Sequence, residues 1–330
     1  MSALKPRSPS LLFVVIVLIS GSVLAQTPSN TQKDYPAKPL RLVVPFPAGG
    51  PTDTLARVVA QKLIDVWGQQ VVVDNRGGAN GIIGQDIVAK APADGHTMLM
   101  QSVAFAINPL LYKLPYRSEK DFLPVSLIAS TSLILVTHPS VAARSINELT
   151  TLAKAKPGQL NYASFGQGSI AHLAGEMFKV RAGISALHVP YKGVPQALAD
   201  LIAARVQFMF PGISSALPHV DAGRLRALAV TSRERSKLAP TLPTVIESGI
   251  ENYEIGSWFG AFLPAGSPDP AVRKLNIEIA AIVVQPDVTQ QFGKQGFEAA
   301  ANSPVQFRDF IRAETRKFSD VIKQSGVKVE

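Results

Sequence analysis

The sequence predicts an α/β protein of two lobes, each a mainly parallel sheet flanked by helices. Three observations point to it. Beyond residue 35, short β-branched or apolar runs alternate with longer segments of helical period. Once the first 25 residues are set aside, about 305 remain, more than one hydrophobic core ordinarily supports. The last two helical patterns are amphipathic and return over strands laid down early, so the first lobe is discontinuous.

The apolar runs at 40–44, 71–73, 97–101, 133–137, 160–163, 186–189, 206–210 and 225–230 read as strands buried on both faces. Helical patterns cover 54–66, 146–155, 169–180 and 195–203, and then 270–284 and 304–325. No internal repeat marks a solenoid or a propeller.

The first residues carry Lys5 and Arg7, then an uncharged apolar run from Leu11 to Leu24 and the small residue Ala25. That run is about 14 residues long, where a spanning helix needs about 20. It reads as a signal peptide, 1–25, cleaved before Gln26, with a flexible leader over 26–34. The chain contains no cysteine. That excludes a lipid anchor on a new N-terminal thiol, a disulfide framework and any thiol-based metal or redox site. Losing Lys5 and Arg7 takes the formal charge from +9 to about +7. The basic residues are dispersed, the tightest groups being Arg224 with Arg226 and Arg233 with Arg235. A solvated basic surface that favours anions is expected, and no nucleic acid.

In open α/β sheets ligands bind beyond the carboxyl ends of strands, where helix N-termini aim amides into a cleft. After the first strand comes VPFPAGGPTDTLAR, residues 44–57. Its prolines stiffen the strand exit, Gly49 and Gly50 let the backbone turn tightly, and Pro51 suits the first helical position. A rigid loop of bare amides is expected. Asp53 falls in the first helical turn, where it either complements the helix dipole or meets the ligand. The second loop, VDNRGGANGIIG over 73–84, has glycines expected to pack against the first loop. Ser102 to Asn108 is expected to be a turn with the Ser102 hydroxyl on the pocket wall.

In the second lobe YASFGQGSIAHLAGEMF, 162–178, offers Gly166 and Gly168 for backbone freedom and Ser169 as a helix cap. His172 stands one turn on, as a ligand contact or as a hydrogen-bonded structural residue. Gly166 to Ala171 also matches G-x-G-x-x-A between strand and helix. The acid that should bind a ribose is absent, since the following strand ends His188-Val189-Pro190-Tyr191-Lys192. No cofactor is expected. No G-x-S-x-G or H-E-x-x-H occurs, and His172 with Glu176 lacks a third ligand, so neither a catalytic residue nor a metal is expected. An exported serine hydrolase using Ser169 and His172 is the alternative, weakened because a capping serine is already engaged. A structural or adhesion protein of the cell surface is a third.

Read in order, YPAKPLRLVVPFPAGGPTDTLAR, NRGGANGIIG, YASFGQGSIAHLAGEMF, HVPYKGVPQALADLI, GRLRALAVTSRERSKLAPTLPTVIESG and WFGAFLPAGSPDPAVRKLN resemble the receptors of tripartite tricarboxylate transporters, the Bug family of solute-binding proteins. The resemblance runs from about Tyr35 to the C-terminus. It implies a two-lobed periplasmic binding protein-like (type II) fold with two hinge crossings, near Leu133 and Trp258: first lobe 35–132 and 258–330, second lobe 133–257. It implies a soluble periplasmic monomer that closes on a small carboxylate (a di- or tricarboxylate, amino acid or aromatic acid) and delivers it to membrane permease subunits. Carried over position by position, the ligand residues are Phe46, Ala48, Gly49 and Asp53 on one side, with Ser164, Gly168, Ser169 and His172 on the other. Where the family commonly shows a glycine and then an acid ahead of the strand at Phe208, this chain has Ala204 and Gln207. Phe105 is bulkier than expected and would narrow the pocket or stack on an aromatic ligand.

Overall fold

The computed structural model of the chain describes residues 1–3 and 35–328. The signal peptide (1–25) and leader (26–34) expected from the sequence lie, from residue 4 on, outside the described residues. The compact unit that starts at Tyr35 carries all of the secondary structure discussed below.

The chain starts as alternating strand and helix: β1 (Leu40–Val44), α1 (Pro51–Trp67), β2 (Val71–Asn75), α2 (Ile82–Ala89), β3 (Thr97–Ser102), α3 (Ala104–Leu111) and β4 (Phe122–Ser132). One residue, Leu133, separates β4 from β5 (Ile134–Thr137), the first strand of a second sheet. There follow α4 (Ile146–Ala155), β6 (Asn161–Ser164), α5 (Ile170–Ala182), β7 (Leu187–Pro190), α6 (Val194–Ile202), β8 (Phe208–Met209), α7 (Ile213–Asp221) and β9 (Arg226–Val230). The chain then rejoins the first sheet with β10 (Gly256–Pro264), α8 (Asp269–Val283), α9 (Pro286–Lys294), β11 (Glu298–Ala299) and α10 (Pro304–Ser325). The sheet orders are β11-β4-β10-β3-β1-β2 and β7-β6-β8-β5-β9.

Both sheets are mixed rather than mainly parallel. β1 pairs parallel with β2 and β3, and β6 parallel with β7 and β8. The strands that cross between sheets run the other way: β10 is antiparallel to β3 and β4, and β5 to β8 and β9. Hydrophobic runs announce burial, not direction, so apolar patterning alone could not separate these cases. The strands are not all buried on both faces either. β2 and β7 are sheet edges, and Val72 and Leu187 on them are exposed.

Leu55, Val59 and Leu63 of α1 pack with Leu275 and Ile279 of α8 on one face of the first sheet. A continuous cluster covers its other face and runs into the second sheet, joining Leu99 and Phe262 to Phe307 of α10 and to Phe178 of α5. Gly260 in β10 makes room for α10, since a Cβ there would stand 2.1 Å from Phe307 Cζ. Phe105 belongs to this cluster: it is 3 % exposed and stacks on Phe262 at 4.2 Å between ring centroids. It is a core residue of α3 and not a pocket wall. Ala204, where a glycine was expected, takes a left-handed φ of 59°, a conformation that costs a side chain about 1 kcal/mol. Gln207, in the acid's place, accepts the Asn161 N–H with Oε1 at 2.8 Å.

Thr231 joins both passages between the sheets. Its N–H donates to Leu133 O at 3.0 Å, and the Ile255 N–H donates to Thr231 O at 3.1 Å. Its hydroxyl, fully buried, accepts the Leu133 N–H at 3.0 Å and has Ile255 O at 2.6 Å as acceptor. Thr231→Val keeps the shape and orphans a donor and an acceptor. The expected loss is about 2 kcal/mol in urea unfolding with an unchanged m-value; no measurable loss would mean that the passages are held elsewhere.

Candidate functional site

The candidate residues sit on two strand–loop–helix units, one per sheet. In the first, Gly49 takes a φ of 79°, Gly50 caps α1 and Pro51 is its first residue. Asp53, third in the helix and 2 % exposed, turns its carboxylate back over the loop. Oδ2 accepts the Gly49 N–H at 2.8 Å and Arg57 Nε at 2.9 Å, while Oδ1 accepts Asn75 Nδ2 at 2.9 Å. Asn75 Nδ2 also donates to Phe46 O at 3.1 Å. Burial pushes the Asp53 carboxyl up, but the bonds from Arg57, Gly49 and Asn75 outweigh it and hold the group below the ordinary carboxylate range. Asp53 therefore fixes the loop from within, and Gly49 does not present a bare amide.

The second glycine loop packs as expected. A Cβ on Gly84 would stand 2.6 Å from Pro45 Cβ, and one on Gly81 would stand 2.7 Å from Gln101 Nε2 and 3.3 Å from Phe46 Cζ. The segment after β3 is not the expected turn. It is helical from Ala104, with Asn108 and Pro109 inside α3. Asn108 is held by paired bonds with Asn80, at 2.8 Å from Asn80 Nδ2 and 3.0 Å to Asn80 O. The half-buried Ser102 turns its hydroxyl back to Gln101 Oε1 at 3.3 Å and accepts the Ala104 N–H at 3.4 Å.

The second unit repeats the device. Gly166 and Gly168 take φ of 136° and 69°, and the Ser169 hydroxyl caps α5 by accepting the His172 N–H at 3.3 Å. His172, again third in its helix, accepts the Gly168 N–H on Nδ1 at 3.1 Å, so the neutral ring carries its proton on Nε2. Its ring stacks on His188 at 3.8 Å and 10°. His188 Nε2 meets the buried Ser164 Oγ at 2.7 Å, and Ser164 also accepts the Gly166 N–H at 3.2 Å. Below this pair the Tyr162 hydroxyl donates to Glu176 Oε1 at 2.5 Å and Lys179 Nζ reaches the same oxygen at 2.7 Å. Burial, then the charge of Lys179, lowers the His172 pKa to about 4. Burial and the facing His172 lower that of His188 to about 4.

With Gly49 and Gly168 occupied, the free donors lie one step further on. The N–H groups of Thr52 and Asp53 in α1, and of Ile170 and Ala171 in α5, have no protein acceptor among the described residues. Ala48, Gly49 and Asp53 also border an open depression of about 560 Å³ that continues along Arg57 and Gln61 to Gln291. The Tyr112 hydroxyl, at the end of α3, donates to Gln167 O at 3.4 Å and ties α3 to the glycine loop of the second unit. Asn75, Gln101, Tyr112 and His188 were not singled out from the sequence. Asn75 and His188 lie inside the quoted motifs VDNRGGANGIIG and HVPYKG, but their partners are brought to them by sheet pairing. Ser169 and His172 are not arranged as nucleophile and base, because the serine caps the helix and the ring faces Gly168. Among the described residues no group of three His, Asp or Glu stands close enough to hold a metal, and no helix is long and apolar enough to cross a membrane.

A family profile described as "Tripartite tricarboxylate transporter family receptor" matches residues 55–327. The chain is 40% identical to the "UPF0065 protein in tcbD-tcbE intergenic region" of Pseudomonas sp. (strain P51), covering 92% of this chain and 93% of that one. It is 36% identical to protein BugT of Bordetella pertussis, covering 96% and 97%. Among solved structures, "R. palustris Rpa4515 with adipate" superposes with a TM-score of 0.82 at 35% identity, over 89% of this chain and 99% of that one. "MatC (Rpa3494) from Rhodopseudomonas palustris with bound malate" gives 0.76 at 29% identity, over 87% and 99%.

The buried histidines set a pH dependence. The unfolded chain protonates them near 6.5 and the folded chain only near 4, so between these values the unfolded state binds more protons. Stability rises with pH through this window and is lost as pH falls from about 6.5 to about 4, by up to about 1.4 kcal/mol per pH unit for each histidine. Urea midpoints across pH 4 to 7 check this. The His172→Gln/His188→Gln double variant is expected to flatten the curve, and an unchanged slope would contradict it.

Proposed function

Because the chain belongs to the tripartite tricarboxylate transporter receptor family, with its two-lobed type II fold, we propose that it captures a small carboxylate between the lobes and hands it to a membrane permease. The single observation that carries this is the pair of helix N-termini, one per lobe, whose first-turn amides at Thr52, Asp53, Ile170 and Ala171 lack protein acceptors. Backbone N–H groups at a helix start, added to the helix dipole, favour an anion, and a carboxylate's two oxygens suit paired donors. Adipate and malate in the relatives' structures point to the same chemistry.

In this proposal Asp53 and His172 position the loops, and Phe46, Ala48, Gly49, Ser164, Gly168 and Ser169 shape the walls around the carboxylate. Ser102 borders the far end. The first lobe comprises 35–132 and 258–330 and the second 133–257, and the lobes close by bending at the passages that Thr231 joins. The receptor works in the periplasm as a monomer, catalyses nothing, and presents its permease-docking surface in the closed form.

A thermal-shift screen of carboxylates, amino acids, aromatic acids and sugars tests the proposal. A ligand that binds only the folded chain stabilises it by about 2.7 kcal/mol at a hundred times Kd, with the gain growing as the logarithm of concentration. The expected result is such a shift with at least one carboxylate and none with neutral sugars. A shift with sugars alone would overturn the carboxylate proposal. Ester hydrolysis that disappears in Ser169→Ala would favour the hydrolase instead.

A further inference from the structure

We infer that Gln101 reads a second oxygen on the bound acid and so selects which carboxylates the cleft accepts, an inference that rests on the carboxylate proposal above. Gln101 lies next to last in β3 and is fully buried. Its Oε1 accepts the Ser102 N–H at 2.7 Å and faces the Ser102 hydroxyl at 3.3 Å. That backbone donor fixes the orientation of the carboxamide, because a flipped amide would set NH2 against N–H. Nε2 therefore points the other way, and its hydrogens find no acceptor among the described residues.

The place it points to is informative. Nε2 lies 2.7 Å from where a Gly81 Cβ would be, and Phe46 Cζ lies 3.3 Å from the same point. Phe46 and Gly81 belong to the loops that follow β1 and β2, at the carboxyl end of the parallel strands where the ligand is proposed to sit. A buried donor pair without partners is costly and calls for a physical explanation. An acceptor arriving with the ligand, bonded directly or through one water carried with it, supplies that explanation.

Gln85 Nε2 is orphaned as well, which makes it a useful contrast. Its Oε1 is held by the Tyr116 hydroxyl at 2.6 Å and Asn108 Nδ2 at 3.4 Å, both core groups packed against α2. Gln101 differs in that its orphaned nitrogen itself stands against Gly81, beside Phe46, with no side chain between it and those loops.

The donor pair on Gln101 is neutral, so it suits any acceptor oxygen: a second carboxylate, a carbonyl or a hydroxyl. An acid with one carboxylate and an apolar tail leaves it unpaired, and sites built around a hydrogen bond discriminate strongly against analogues that lack the group. The helix N-termini then bind the first carboxylate, and Gln101 discriminates by what the rest of the molecule carries.

Calorimetric titration with matched acids, succinate against butyrate and adipate against hexanoate, tests this on the wild-type chain and on Gln101→Met, Gln101→Glu and Gln85→Met. Wild type is expected to prefer the diacid by about tenfold or more in at least one pair. Gln101→Met is expected to collapse that ratio, whereas a merely structural role would weaken both acids alike. Gln101→Glu keeps an acceptor for Ser102 but removes the donors, and is expected to lose the preference too. Gln85→Met is expected to keep it. A ratio unchanged in both Gln101 variants, or lost equally in Gln85→Met, overturns the inference while leaving the carboxylate proposal standing. A wild-type chain that binds none of the four acids, nor any carboxylate in the thermal screen, overturns both.

Discussion

The structure depends on one arrangement made twice: the third residue of a helix reaches back and accepts the N–H of a glycine four positions earlier. Asp53 does this to Gly49, and His172 to Gly168. Each bond closes a tight loop against its own helix, where glycine is needed because the backbone is left-handed. It also changes which amides are free. The glycine N–H groups are consumed, and the unpaired donors move into the first helical turn, where the helix dipole adds to them. The two versions differ chemically. Asp53 brings a charge that Arg57 and Asn75 balance, while His172 stays neutral against His188.

The remaining architecture holds these two turns in place. Asn75, at the end of β2, bonds both Phe46 O and Asp53, so the edge strand steadies the first loop. Glycines 81 and 84 let the next loop close over Pro45 and Phe46. On the other side Gly175 leaves room for Tyr162, whose ring a Cβ there would meet at 2.2 Å, and Tyr162 in turn stacks on His188 at 5.0 Å. The two units share one continuous core through α3, α10 and α5. Thr231 bonds both Leu133 and Ile255, so the two passages between the sheets are joined at one residue.

Much of this was legible in the sequence, and the gaps have physical causes. The units 40–57 and 160–180 were readable because apolar runs, Gly-Pro turns and a serine cap are local signals. β4 and β10, of 11 and 9 residues, left little trace. Pro124 sits beside a bulge in β4, and β10 contains Gly256 and Gly260, residues that ordinarily argue against a strand interior. The glycine loops were legible as tight turns before helices, but not that the Gly49 and Gly168 amides are already bonded to Asp53 and His172. Whether a glycine N–H is free depends on the rotamer of a side chain in the next turn, which composition does not reveal. The stacking of His172 on His188 and the orphaned Gln101 amide arise from pairings between distant strands.

The central claim is that four first-turn amides, and not the glycines before them, hold the ligand. Amide-resolved NMR of the chain with and without a saturating carboxylate tests it most directly. The account predicts that Thr52, Asp53, Ile170 and Ala171 shift downfield and gain exchange protection on binding, while Gly49 and Gly168 are protected already in the free protein. Protection gained at Gly49 and Gly168 with the four unchanged, or confined to residues outside both helix starts, would contradict it.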